Sequence, residues 1–167
     1  MILLCYDGSE DSREAAARTA SLFPGAAVTV LTVWEPYLEL LAQSGFGLGF
    51  HETPGESTRM EATLGEHARA TAAEGAEHVR AAGITATARA ERRGVSIPAT
   101  IIEVGDELDA DAIVLGARGR GDITALLIGS TSHSIVQHAD RPVVVVPAPA
   151  VAKGRRDRPR RGHHQSP

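Results

Sequence analysis

Hydrophobic positions along this chain fall in short continuous runs that are separated by longer, alanine-rich segments. The apolar runs predict five strands, at residues 2–6, 27–33, 84–90, 111–116 and 143–146. The segments between them predict four helices, at residues 9–22, 57–82, 97–108 and 130–138. Alternation of strands and helices is typical of βαβ units with a parallel sheet. The pattern therefore predicts a single α/β domain.

The composition of the strands indicates where they lie in the sheet. Residues 2–6 and 27–33 are nearly all apolar, as expected of inner strands that helices cover on both faces. Residues 84–90, ITATARA, alternate between one face with Ile84 and alanines and another with threonines and Arg89. Strict alternation predicts a half-exposed strand at the edge of the sheet.

Local signals mark helix ends and two segments without periodicity. Ser9 can cap the first helix and Gly83 can end the longest one. Pro98 suits the first turn of the third helix. Residues 44–56, SGFGLGFHETPGE, predict a mobile loop, and residues 148–167 predict a disordered basic tail because they lack apolar periodicity.

Charge and cysteine content narrow the class of protein. Residues 1–150 carry 11 Lys and Arg against 20 Asp and Glu, a net charge of −9, whereas residues 151–167 carry +5. An acidic body argues against a nucleic-acid-binding face. One cysteine, Cys5, excludes a disulfide framework within the chain. With no signal-peptide pattern and no membrane-length apolar stretch, we expect a soluble cytoplasmic protein.

The segment from Gly116 to Ser130, GARGRGDITALLIGS, follows an apolar strand and leads into a helix. Ligands bind at the carboxyl ends of strands in open α/β sheets. Gly116, Gly119 and Gly129 would let the backbone turn and approach a polyanion, and N–H groups at the helix start could bind phosphate oxygens. The alternative is that these are ordinary loop glycines and that Ser130 is only an N-cap.

Two common phosphate-binding loops are excluded. No Gly-x-x-x-x-Gly-Lys-Ser/Thr motif is present, and the only lysine, Lys153, lies in the tail. The first strand is not followed by a Gly-x-Gly-x-x-Gly fingerprint.

The spacing of Gly116, Gly119, Gly129 and Ser130 resembles the ATP-binding signature of universal stress proteins, Gly-x-x-Gly, nine residues, Gly-Ser. The resemblance extends to Asp7-Gly8-Ser9 after the first strand and to HADRPVVVVP near the end, and it covers residues 1–147. It implies an open five-stranded parallel sheet in the order 3-2-1-4-5 with helices on both faces. It also implies a homodimer that pairs through Val143 to Val146.

The resemblance implies ATP, with or without Mg²⁺, as the ligand. The adenine and ribose contacts would come from Cys5, Asp7 and Val33, and the remaining contacts, mainly to ribose and phosphates, from Leu115, Gly116, Gly119, Gly129, Ser130, Thr131 and Ser132. No residue is assigned as catalytic or as a metal ligand in the protein itself. Cys5 is a departure, because proline is frequent at its position in the family.

Several residues allow another interpretation. Asp7 could form an Asx-turn rather than contact a ligand. Arg118 and Arg120 could meet the triphosphate or face solvent. Residues 8–12 partly match the pyrophosphate loop of adenylating enzymes, although an acidic side chain there would repel pyrophosphate.

Three functions therefore remain open from the sequence. The first is a nucleotide-binding regulatory protein of the stress response with little or no turnover. The second is an enzyme in the same cleft, a slow ATPase or an adenylating relative. The third is an interaction module whose site is empty.

Overall fold

A computed structural model describes residues 1–43, 54–119 and 128–148 of the chain. The strands are β1 Ile2–Cys5, β2 Val28–Trp34, β3 Ala86–Arg92, β4 Ala112–Gly116 and β5 Val143–Val146. The helices are α1 Glu10–Leu22, α2 Tyr37–Gln43, α3 Pro54–Ala81, α4 Ile97–Glu107 and α5 Ser130–His138.

The five strands form one parallel sheet in the order β3-β2-β1-β4-β5, which confirms the predicted fold. β1 lies between β2 and β4, and Ile2 pairs with Val28 on one side and with Ala112 on the other. From β1 the chain adds β2 and then β3 on one side of the sheet. It then crosses back and adds β4 and β5 on the other side. The crevice beside β1 and β4 is therefore the switch point at which ligands bind in such sheets.

Alternate side chains of the inner strands bury two separate apolar layers. One layer packs against α1 and α3 and includes Leu4, Ala15, Val30, Ala76, Val79 and Val114. The other packs against α4 and α5 and includes Leu3, Leu31, Ile101, Val104, Ile113 and Ile135. Helices therefore cover both faces, which explains why β1, β2 and β4 are almost wholly apolar.

The predicted helix-end signals are confirmed. Ser9 is the N-cap of α1, and its hydroxyl accepts the N–H of Ser12 at 3.2 Å. Gly83 follows α3 with φ of +82°, a left-handed conformation that glycine adopts without strain. Ser96 caps α4, and Pro98 lies in its first turn, where a missing N–H costs nothing.

β3 is the predicted edge strand, but it begins and ends two residues later than predicted. Its pairing with β2 runs from Ala86 to Arg92, and Ala88, which the alternation placed on the inner face, is exposed. Charged residues can extend an edge strand because they remain near solvent; Arg92, for example, forms an ion pair with Glu61 at 3.0 Å. Sequence alternation located the strand without fixing its register.

Helix α2 was not predicted. The N–H of Tyr37 in its first turn donates to a carboxylate oxygen of Glu61 on α3, 2.7 Å away, so its start depends on a contact 24 residues along the chain. The predicted 44–56 loop is also wrong at its end, because residues 54–56 belong to α3. The rest of that prediction lies outside the described residues.

The ordered body continues past β5. Ala148, which the sequence placed at the start of the tail, is fully buried. The remainder of the predicted tail lies outside the described residues. None of the described helices is both long and apolar enough to cross a membrane.

Arg141 joins the start of β5 to the end of α4. Its guanidinium Nη1 donates to the carbonyls of Gly105 at 2.6 Å and Ala110 at 3.1 Å, and its Nη2 pairs with Asp106. The side chain is only 14% exposed. The carbonyl of Gly105 also accepts the N–H of Ala110 at 2.9 Å, so Arg141 adds to the hydrogen bonds that hold the end of α4 near the start of β5.

We predict that Arg141→Ala lowers the free energy of unfolding by about 1–3 kcal/mol, because it removes charged hydrogen bonds to the carbonyls of Gly105 and Ala110. Urea denaturation followed by circular dichroism measures the loss. Arg18→Ala is the matched control, since Arg18 forms an exposed pair with Glu14 on one helix and its removal should change stability little. Equal losses in the two variants would contradict this role of Arg141.

Candidate functional site

A cavity of about 310 Å³ opens at the carboxyl edge of the sheet, where β1, β2 and β4 end and α4 and α5 begin. All ten residues that the resemblance assigned to the nucleotide line this one cavity: Cys5, Asp7, Val33, Leu115, Gly116, Gly119, Gly129, Ser130, Thr131 and Ser132. They come from four separate segments of the chain. The strand order brings these segments together, because neighbouring parallel strands end at the same edge.

Six further residues line the cavity: Tyr6, Ser12, Leu31, Ile97, Ile101 and Arg118. A sequence signal existed for three of them. Leu31 lies two residues before Val33 and so shares its face of β2. Ile97 and Ile101 lie one turn apart at the start of α4. This helix follows the edge strand β3, so it begins at the carboxyl edge of the sheet, where the cavity opens.

A second hollow, of about 450 Å³, lies between α2 and the start of α3 and is lined by residues such as Trp34, Leu38 and Arg69. It contains none of the predicted site residues. Although it is larger, it does not lie at the switch point of the sheet. The smaller cavity is therefore the candidate site.

Gly116 ends β4 directly against the first turn of α1. A Cβ atom at this position would lie 2.8 Å from the backbone carbon of Asp11 and 2.9 Å from the nitrogen of Ser12. These are backbone atoms that cannot move without shifting the helix. Glycine is thus required here by packing against α1, a reason that the sequence did not indicate.

Gly119 faces Asp7 across the mouth of the cavity. A Cβ atom on Gly119 would lie 2.8 Å from Oδ2 of Asp7. The other oxygen, Oδ1, accepts the N–H of Ser9 at 3.0 Å, so Asp7 does form the Asx-turn that the sequence allowed as an alternative. The turn and the position at the cavity are compatible, because they involve different oxygens of one carboxylate.

The start of α5 is built around glycine. Gly129, and not Ser130, is the N-cap, so the N-cap alternative for Ser130 is wrong. The N–H of Gly129 donates to the carbonyl of Ala117 at 2.8 Å, and the buried hydroxyl of Ser132 donates to the carbonyl of Gly116 at 2.8 Å. First-turn N–H groups have no intrahelical acceptor and carry the positive end of the helix dipole, so this helix start favours an anion.

Cys5 lies at the end of β1 on the cavity wall. Burial, and to a smaller extent the charge of Asp7, raises the pKa of its thiol to about 12. The thiol is therefore neutral at physiological pH and forms part of the apolar wall. It carries no charge that would repel a phosphate.

Arg118 lines the cavity rather than facing solvent alone, and it is paired with a carboxylate. Its guanidinium Nη2 lies 3.3 Å from Oδ1 of Asp11, and its side chain is 23% exposed. Arg120 lies outside the described residues.

The profile of the universal stress protein family matches residues 1–147. The chain belongs to this family. It is 30% identical over 151 residues to a universal stress protein of Thermus aquaticus, covering 87% of this chain and 96% of the relative. A second universal stress protein, from Synechocystis, is 30% identical over 146 residues, covering 87% of this chain and 84% of the relative.

Solved structures of universal stress proteins share the fold. The Lactobacillus plantarum protein UspA superposes with a TM-score of 0.63 at 22% identity, over 87% of this chain and 95% of that one. An Arabidopsis thaliana family member with AMP bound gives 0.58 at 16% identity, over 89% and 92% of the chains. The Archaeoglobus fulgidus protein in complex with dAMP gives 0.53 at 23% identity, over 87% and 95%.

Proposed function

We propose that this universal stress protein binds ATP in the cavity at the carboxyl edge of its sheet and acts as a nucleotide-dependent regulatory protein with little or no turnover. One observation carries the proposal. Ten residues from four segments of the chain, assigned to a nucleotide by the resemblance alone, line a single cavity at the switch point of the fold. Chance placement of loop glycines would not assemble them in this way.

The two sides of the cavity differ in chemistry as an adenine nucleotide requires. Leu31, Val33, Ile101 and Leu115 supply apolar surface on one side, which suits the faces of an adenine ring. Asp7 supplies carboxylate oxygens, which suit the hydroxyls of ribose.

The other side suits phosphate. Gly119 and Gly129 carry no side chains that would keep a polyanion away from the backbone, and Ser130 and Thr131 add hydroxyls at the N-terminus of α5. The N–H of Gly129 donates to the carbonyl of Ala117 at 2.8 Å, which holds the start of α5 beside the end of β4. The bound AMP and dAMP in two relatives support an adenine nucleotide as the ligand class. The Gly116 to Ser130 signature supports ATP within that class.

The charged groups of the cavity support binding over turnover. Asp7 is the single carboxylate among the described residues that line it, and one of its oxygens already accepts the N–H of Ser9. If Mg²⁺ accompanies ATP, Asp7 is the side chain that would hold it, since Mg²⁺ takes oxygen ligands. The same group would not then be available as a general base.

We predict that Gly119→Asp lowers the affinity for ATP by at least about a hundredfold, because it adds a negative charge beside Asp7 where phosphate is expected. Isothermal titration calorimetry of the wild type and the variant measures the change. We expect the fold to persist, because the nearest atom to a new Cβ is the end of a flexible side chain. ATP that is recovered after incubation with the wild type should be intact, because we expect little or no turnover.

The control is Gln137→Glu, which adds the same charge at an exposed position of α5 away from the cavity. Its affinity for ATP should equal that of the wild type. Unchanged binding in Gly119→Asp would place the nucleotide elsewhere. Steady release of ADP or AMP by the wild type would favour an enzyme.

We also propose that β5 forms the interface of a homodimer. β5 is an edge strand, and the carbonyls of Pro142 and Val146 face β4 by accepting the N–H groups of Ile113 and Ala117. Because strand residues alternate, the N–H groups of Val143 and Val145 face away from the sheet. A second copy could pair with them.

Val145→Pro removes one of these outward donors without taking a hydrogen bond from the sheet. We expect the variant to sediment as a monomer at concentrations at which the wild type is a dimer, with unchanged circular dichroism. Analytical ultracentrifugation provides the measurement. A wild type that is monomeric, or a variant that remains dimeric, would rule out this interface.

A further inference from the structure

Arg118 is held by Asp11 through three hydrogen bonds. Its backbone N–H donates to Oδ2 at 3.1 Å, its side-chain Nε donates to the same oxygen at 3.3 Å, and Nη2 donates to Oδ1 at 3.3 Å. The carbonyl of Arg118 accepts the hydroxyl of Ser9 at 3.4 Å. The first turn of α1 thus binds both the main chain and the side chain of this loop residue.

In the ion pair between Arg118 and Asp11, the carboxylate is the more deeply buried group. The side chain of Asp11 is only 6% exposed, and it lies directly behind Gly116 in the wall of the cavity. A buried carboxylate is costly unless it is paired and hydrogen bonded, so Asp11 depends on Arg118. Arg118 in turn gives up much of its charge to Asp11, because a guanidinium in contact with a carboxylate presents a dipole rather than a free cation.

The loss of that charge affects the cavity. Arg118 is the single cationic side chain among the described residues that line it. The chain offers no lysine before Lys153. A ligand in this cavity therefore meets helix-dipole N–H groups and hydroxyls, but its phosphate charge meets a guanidinium that is already neutralised.

We propose that Asp11 is a specificity-determining residue: by neutralising Arg118, it limits how strongly the cavity favours nucleotides with more phosphate charge over those with less. This inference rests on the proposed function, since it concerns nucleotides bound at that site. It makes the preference between AMP and ATP depend on one partly buried ion pair. The residues of the glycine signature, by contrast, serve both ligands.

The test measures dissociation constants for AMP and ATP with divalent cations removed, where the two ligands differ by about two charges. Asp11→Asn keeps the shape and an acceptor oxygen but leaves the charge of Arg118 uncompensated. We expect it to raise the preference for ATP over AMP about tenfold above that of the wild type. A role confined to holding the loop would change both affinities by the same factor.

Arg118→Gln should act in the opposite direction. It leaves Asp11 unpaired behind the cavity wall, and the preference for ATP should fall about tenfold. Either single variant is sufficient, so the inference can be tested even if one of them does not fold. The double variant, which removes both charges, should return the preference to within about threefold of the wild type.

Asp106→Asn is the matched control. It also removes a carboxylate paired with an arginine, Arg141, but at the end of α4 that points away from the cavity. Its preference should match that of the wild type. If the preference in Asp11→Asn or in Arg118→Gln also stays within about twofold of the wild type while both nucleotides bind, the inference is wrong. If the wild type binds neither nucleotide, the proposed function itself fails, and this result is distinct from the first.

Discussion

The contact between the end of β4 and the first turn of α1 is the constraint on which the candidate site depends. No side chain fits between Gly116 and the backbone of Asp11, so the strand and the helix meet directly. This contact brings Asp11 within reach of Arg118, and it positions the carbonyls of Gly116 and Ala117 to accept from Ser132 and Gly129. The start of α5 is thereby fixed opposite the end of β1.

The hydrogen bonds that build the site also limit what it can do. Ser132, Arg118 and one oxygen of Asp7 are each engaged with the protein. A ligand would meet an apolar wall, the carboxylate of Asp7, two loop glycines, first-turn N–H groups and two hydroxyls. Such a set suits binding and has little capacity to move protons, which is why we propose a regulatory protein rather than an enzyme.

Sequence reasoning was most successful where one local property decides the structure. The apolar runs of β4 and β5 and the bounds of α5 were predicted to within a residue, and the glycine spacing located the loop. It failed where a distant partner decides. α2 depends on Glu61, the register of β3 depends on its pairing with β2, and the state of Arg118 depends on Asp11, 107 residues earlier.

The central claim is that an adenine nucleotide occupies the cavity beside β1 and β4. An amide-resolved NMR titration with ATP tests it most directly, because it reports the location of binding without any substitution. We predict that the largest chemical-shift changes fall on residues 116–119 and 129–132, with further changes at Asp7 and Val33. Saturable changes confined instead to the hollow lined by Trp34, Leu38 and Arg69, or no changes at all, would contradict the account.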